Sequence, residues 1–67
     1  MFYIIEPWGR DKYRDASIIF KAATVEDAYA ELDRLVARLQ HFSIDPASFE
    51  WYVVDEDRKP VSRPGAH

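Results

Sequence analysis

The segment from Thr24 to Phe42, TVEDAYAELDRLVARLQHF, constrains the fold more than any other part of the chain. Its apolar residues Val25, Ala28, Tyr29, Leu32, Leu35, Val36, Leu39 and Phe42 recur three and four positions apart. At about 100° per residue they fall within one arc of about 140°, and the charged residues fill the complementary arc. Thr24 stands where an N-cap is needed. Asp27, three residues on, imitates a capping box with Asp in place of the usual Glu. Glu26, Asp27, Glu31 and Asp33 all precede Arg34 and Arg38, the order the helix dipole favours. The pattern predicts an amphipathic helix with one apolar stripe, and that stripe needs a surface to bury it.

The segments able to supply that surface are all β-prone. Residues 2–8, FYIIEPW, read as a first strand, with Pro7 confined to its end or to an unpaired position. A polar loop from Gly9 to Lys12 leads to a second strand that starts at Tyr13 or Asp15 and runs to Ala22. Plain alternation puts Ala16, Ile18, Phe20 and Ala22 on one of its faces, and Ser17, Ile19 and Lys21 on the other. The short connection predicts an antiparallel hairpin. After the helix, residues 43–48 form a connector in which Asp45 caps a single helical turn begun by Pro46, and Ile44 plugs the bottom of the core. Phe49 to Asp55 is the third strand. The run Asp55–Lys59 is a turn, residues 60–63 are a candidate short fourth strand, and 64–67 a loose tail.

The expected fold is therefore a small α+β two-layer sandwich in the order β-β-α-β, occupying residues 1–63 as one domain. Its hairpin and third strand form a sheet in the order 2-1-3, which satisfies both the antiparallel preference and a right-handed crossover. With 67 residues the core is small, and the usual reinforcements are missing. The chain contains no cysteine, which removes disulfides and thiolate metal sites; its two histidines, His41 and His67, do not make a histidine-rich one. No metal or cofactor is expected. Hydrophobic residues make up 48% of the chain and aromatic ones 15%, too rich for disorder, so packing or association must stabilise it. The net charge of −3 gives no general attraction to nucleic acid or anionic membrane. No apolar run reaches the length of a membrane span, and Glu6 and Pro7 end the N-terminal apolar run too early for a signal peptide. A cytoplasmic location is the expectation.

One helix covers one face of such a sheet. The covered face is expected to take Phe2, Ile4, Ile18, Phe20, Phe49, Trp51 and Val53. The other face then carries Tyr3, Ile5, Ile19, Tyr52 and Val54, ringed by Ser17, Lys21 and Glu50. A half-solvated sheet alternates apolar and polar residues, and these strands are apolar in both sets. Scattered exposed apolar residues are ordinary, but five on one face form a patch suited to a second copy or another protein. Those five residues are the candidate interaction face.

Other chemistry finds less support. Asp55-Glu56-Asp57 fails as a calcium loop because Pro60 holds the sixth position, where glycine is required; a solvated turn explains it. His41 sits on the polar side of the helix with no nucleophile at a recognisable spacing, so a dipole-favoured C-terminal histidine is the simpler account. Gly9 and Gly65 are the only glycines, so there is no phosphate loop, and no hydrolase or zinc motif occurs. The expectation is a non-enzymatic domain. Nucleic-acid binding is the alternative, through Arg10, Lys12 and Arg14 in the first loop and Arg58, Lys59 and Arg63 around the last turn, with Tyr3, Tyr52 and Trp8 as stacking surfaces. Against it, Asp11, Asp15 and residues 55–57 interleave with these cations, and the topology puts the two basic loops at opposite ends of the sheet. The acidic front of the helix reads as a solvated face.

Overall fold

Thr24 starts the helix as its position requires. Its backbone is extended (φ −127°, ψ 157°), and its hydroxyl accepts a hydrogen bond from the Asp27 N–H at 3.2 Å. The helix, α1, runs from Val25 to His41 in the computed structural model, which describes residues 1–45 and 48–65. It ends in a full Schellman motif. The Ile44 N–H donates to the Leu39 carbonyl at 2.8 Å and the Ser43 N–H to the Gln40 carbonyl at 3.0 Å. Ser43 occupies the left-handed position at φ 61°, where glycine is usual. Ile44 closes the motif through its N–H, and its side chain is 40% exposed and belongs to neither core cluster, so it does not plug the core. The cap and helical turn expected at Asp45–Pro46 involve residues 46 and 47, which lie outside the described residues, as does the end of the tail at 66–67.

Three strands form one sheet in the order expected: β1 (Phe2–Pro7), β2 (Ala16–Ala22) and β3 (Tyr52–Val54), arranged β2-β1-β3. Both pairings of the central β1 are antiparallel. This is the small α+β fold with the β-β-α-β order. β2 begins at Ala16, because Tyr13 and Arg14 belong to a folded loop. The Asp11 carboxylate accepts their N–H groups at 3.1 and 3.2 Å. β3 is shorter than Phe49–Asp55. It pairs with Tyr3, Ile4 and Ile5 alone, and the β1 residues beyond are Glu6 and Pro7, the second of which has no N–H to donate. The fourth strand reduces to an isolated bridge between Val54 and Pro60, followed by a hydrogen bond from the Val61 N–H to the Val53 carbonyl at 2.9 Å.

The register of β2 carries the main departure from plain alternation. Ile4 pairs with Phe20, yet its neighbour Ile5 pairs with Ile18, which leaves Ile19 as an extra residue in a β-bulge. Residues directly opposite each other share a face. Phe20 and Ala22 therefore face the helix with Ile4 and Phe2, whereas Ala16 and Ile18 share the opposite face with Pro7 and Ile5. This corrects the placement of Ile18 on the covered face and the assignment of Ala16, Ile18, Phe20 and Ala22 to one side. Phe49 is also not in that core; it lies outside β3 and packs its ring on Trp51, 5.4 Å between centroids.

The core beneath the helix is built from Ile4, Ala22, Ala28 and Val53, with Phe2, Phe20, Tyr29, Leu32, Leu35 and Trp51 packed around them. Ala28 is the one buried residue of α1, and its meeting with Ala22 lets the helix approach the sheet closely. A seventeen-residue helix is about 25 Å long, whereas the three rungs shared by all strands cover about 10 Å. The C-terminal end of the stripe thus overhangs, and Phe42 is 66% exposed.

Candidate interaction surface

The face away from the helix is not bare. Ile5 and Val54 are completely buried there, and with Ala16 they form a second small core, against which Tyr3, Tyr13 and Tyr52 pack. The cover is the β1–β2 connection, residues 8–15, which folds back over the sheet. The Asp15 carbonyl draws its two ends together by accepting the N–H groups of Trp8 (2.8 Å) and Gly9 (3.2 Å), while the Asp15 N–H donates to the Asp11 carbonyl at 2.7 Å. At Gly9 a Cβ would lie 2.4 Å from the Cβ of Asp15, so this close approach requires glycine.

Folding the loop back sets Tyr13 over the second core. Its ring meets that of Tyr52 edge to face, 5.7 Å between centroids. The Lys12 ammonium lies 5.5 Å from the Tyr13 ring centre and 5.2 Å from that of Tyr52. Arg58 closes the cover from the other end of the sheet, its guanidinium donating to the carbonyls of Tyr13 (3.0 Å) and Ala16 (3.2 Å). The two basic loops expected at opposite ends are thereby joined, since three rungs of sheet are short enough for one arginine side chain to cross. Arg58 holds a left-handed backbone at φ 61° in a turn organised by Asp55, whose carboxylate accepts the N–H groups of Asp57 (2.9 Å) and Lys59 (3.0 Å).

The five residues expected to form an interaction face therefore divide. Ile5 and Val54 have no exposed surface, and Tyr3 and Tyr52 are half-buried at the margin of the cover. Ile19 is 39% exposed, and Ile18, assigned to the helix side by plain alternation, joins it at 40%. These two adjacent isoleucines lie on β2, an edge strand whose one sheet neighbour among the described residues is β1. Trp8, at 70% exposure, lies in the connection that leaves β1. The bulge carries no unmistakable sequence signal, but three consecutive apolar residues in Ile18-Ile19-Phe20 are the mark of a strand that cannot keep strict alternation.

Of the cations considered for nucleic acid, Arg10, Arg14 and Lys59 are exposed, and Arg14 lies 3.9 Å from the Asp11 carboxylate. Lys12 is held between tyrosine rings, and Arg58 is spent on backbone carbonyls. Arg63 pairs with Asp33. His41 is exposed at the end of α1, with its ring 5.2 Å from that of Phe42. No group of three or more metal-ligating side chains occurs among the described residues, and no described helix is long and apolar enough to cross a membrane.

The arrangement defines a small α+β protein with one sheet, a helix on one face and a loop-built cover on the other. No protein-family model, curated protein or solved structure was found to match the chain.

Proposed function

We propose that this chain is a non-enzymatic interaction module that joins a second copy of itself, or another protein, through the β2 side of the sheet. The observation that carries this reading is the exposure of Ile18 and Ile19 side by side on an edge strand. Burying two half-exposed isoleucines on each partner adds apolar area where the strand's outer backbone groups await pairing. The half-buried rings of Tyr3 and Tyr52 border the same face. The proposal assigns the protein to the cytoplasm and requires neither metal nor cofactor. Binding of nucleic acid by Arg10, Lys12 and Arg14 is the competing reading; it requires affinity that falls steeply with salt.

Sedimentation equilibrium across a wide concentration range tests the proposal. The wild type should associate, and Ile19→Asp should shift it to monomer while lowering its urea midpoint by only about 1–2 M and leaving the chain folded, because that side chain is 39% exposed. Association that survives both Ile19→Asp and Ile18→Asp would refute the surface. A wild type that stays monomeric at millimolar concentration would refute self-association.

A further inference from the structure

Residues 60–63 cross the outer edge of β3 and the flank of α1 without becoming a strand. We propose that they form a releasable strap, latched by Arg63, whose opening bares the edge of β3 while the rest of the fold stays intact. The inference stands independently of the function proposed above.

Three features carry it. First, the strap pairs with β3 through a single bridge between Val54 and Pro60, and the Val61 carbonyl that would extend the ladder accepts from the Tyr29 hydroxyl instead. The Val61 N–H to the Val53 carbonyl, at 2.9 Å, is the backbone hydrogen bond the strap makes to the strand beyond the turn. Second, the latch lies at the surface. The Arg63 guanidinium donates to both carboxylate oxygens of Asp33 at 2.9 Å and stacks 4.6 Å from the centre of the Tyr29 ring. Both charged side chains of the pair are about half exposed (51% and 59%), so water and salt reach it. Third, a shallow groove of about 290 Å³, lined by Glu26, Tyr29, Ala30, Asp33, Arg63 and Pro64, runs between helix and strap, so the two surfaces are not closely packed there. Val61 alone ties the strap to the core under the helix. One backbone bond, one tyrosine hydroxyl, one exposed ion pair and the half-buried Val61 side chain hold the strap closed, whereas the central strand is bonded on both sides and buried under the helix.

Strap release gives the sheet a second available edge. With the strap closed, the outer side of β3 is occupied by the chain's own residues; with it open, the Val53 carbonyl loses its partner and the strand can accept another.

Native-state hydrogen exchange on the full chain reads this opening directly. In the wild type, the Val61 amide should exchange at least tenfold faster than the central-strand amides of Ile4 and Ile5, through an opening insensitive to low denaturant. Arg63→Ala should lower Val61 protection a further roughly three- to tenfold and leave Ile4 and Ile5 unchanged, the size expected for a surface pair with ring stacking. Asp33→Asn should do the same from the other side of the latch. Val61 exchanging in step with Ile4 and Ile5 would overturn the proposal, as would either variant lowering all three amides alike. Unchanged Val61 protection in both variants would overturn the role of the latch.

Discussion

Ile5 and Ile18 are partners on one rung of the sheet and face the same side, yet Ile5 is completely buried and Ile18 is 40% exposed. Truncating each to alanine therefore asks whether the second face is a packed core. The change removes three carbons, worth about 2.4 kcal/mol of transfer free energy when fully buried. At Ile5 the hole is sealed under Tyr13 and between Val54 and Ala16, so a cavity term raises the cost to about 3–4 kcal/mol. At Ile18 water fills the space, and the partial burial leaves a cost of about 1–1.5 kcal/mol. A chain of this size is stable by roughly 3–10 kcal/mol, so Ile5→Ala should consume a large share of the total. Urea denaturation followed by tryptophan fluorescence measures both, Trp51 being half-buried beside the first core. With a slope near 1 kcal/mol/M, the midpoint should fall by about 3 M for Ile5→Ala and by about 1 M for Ile18→Ala. If Ile5→Ala leaves no folded baseline, Ile5→Val, at about 1 kcal/mol, preserves one. Equal losses at the two positions, or a larger one at Ile18, would refute the packing of the second face.

Arg58→Ala removes a guanidinium that bonds two carbonyls of the cover, and it should cost about 1.5–3 kcal/mol, read by the urea midpoint; Arg58→Lys should recover only part of it, since an ammonium lacks the arginine fork. Acid should weaken the fold through two aspartates. The N–H groups of Arg14 and Tyr13 hold the Asp11 carboxyl below its ordinary value of 3.8, and the Arg63 guanidinium does the same for Asp33. Because both folded-state values are depressed, their stabilisation is complete above the ordinary value and is lost as pH falls below 3.8 through the folded values. Thermal melts from pH 7 to 2 should therefore fall less steeply below pH 4 for an Asp11→Asn, Asp33→Asn double variant than for wild type; parallel curves would show that these groups do not contribute.

The helix, the strand order and most of the first core were legible because each rests on a local period. The stripe of α1 and the cap at Thr24 need nothing from the rest of the chain, and the order 2-1-3 follows from connection lengths. Phe2, Ile4, Phe20, Trp51 and Val53 all lie under the helix as the alternation predicts. Ile18 was misplaced because a bulge at the next residue reverses the faces of half the strand, and a period of two has no means of marking where it breaks. Ile44 was misplaced because the left-handed turn at Ser43 is written with a residue that does not announce it. The cover itself was illegible for a different reason. Residues Gly9 to Asp15 have the composition of an ordinary polar loop, and their order comes from bonds of the Asp11 and Asp15 carboxylates to backbone two to four residues away and from backbone bonds spanning four to seven residues, which no hydrophobic period records.

The apolar character of both strand faces nevertheless has one physical resolution, and it bears on where a partner can bind. A 67-residue chain with a single helix cannot bury two sheet faces with regular structure, so the second face is closed either by another molecule or by its own loops. Here Asp11, Asp15 and Gly9 fold the hairpin loop into a lid, Tyr13 supplies its apolar underside, and Arg58 fastens it from the far end of the sheet. Closure uses up Ile5 and Val54, the centre of the face. It leaves Ile18 and Ile19, at the bulge on the edge strand β2, 40% and 39% exposed and outside the second core. The association proposed above is thus confined to the margin of the second face along β2, much smaller than the bare sheet that the sequence suggests. A partner that binds there has to engage an edge strand and two isoleucines rather than a flat apolar plane, which favours strand-to-strand contact over face-to-face stacking.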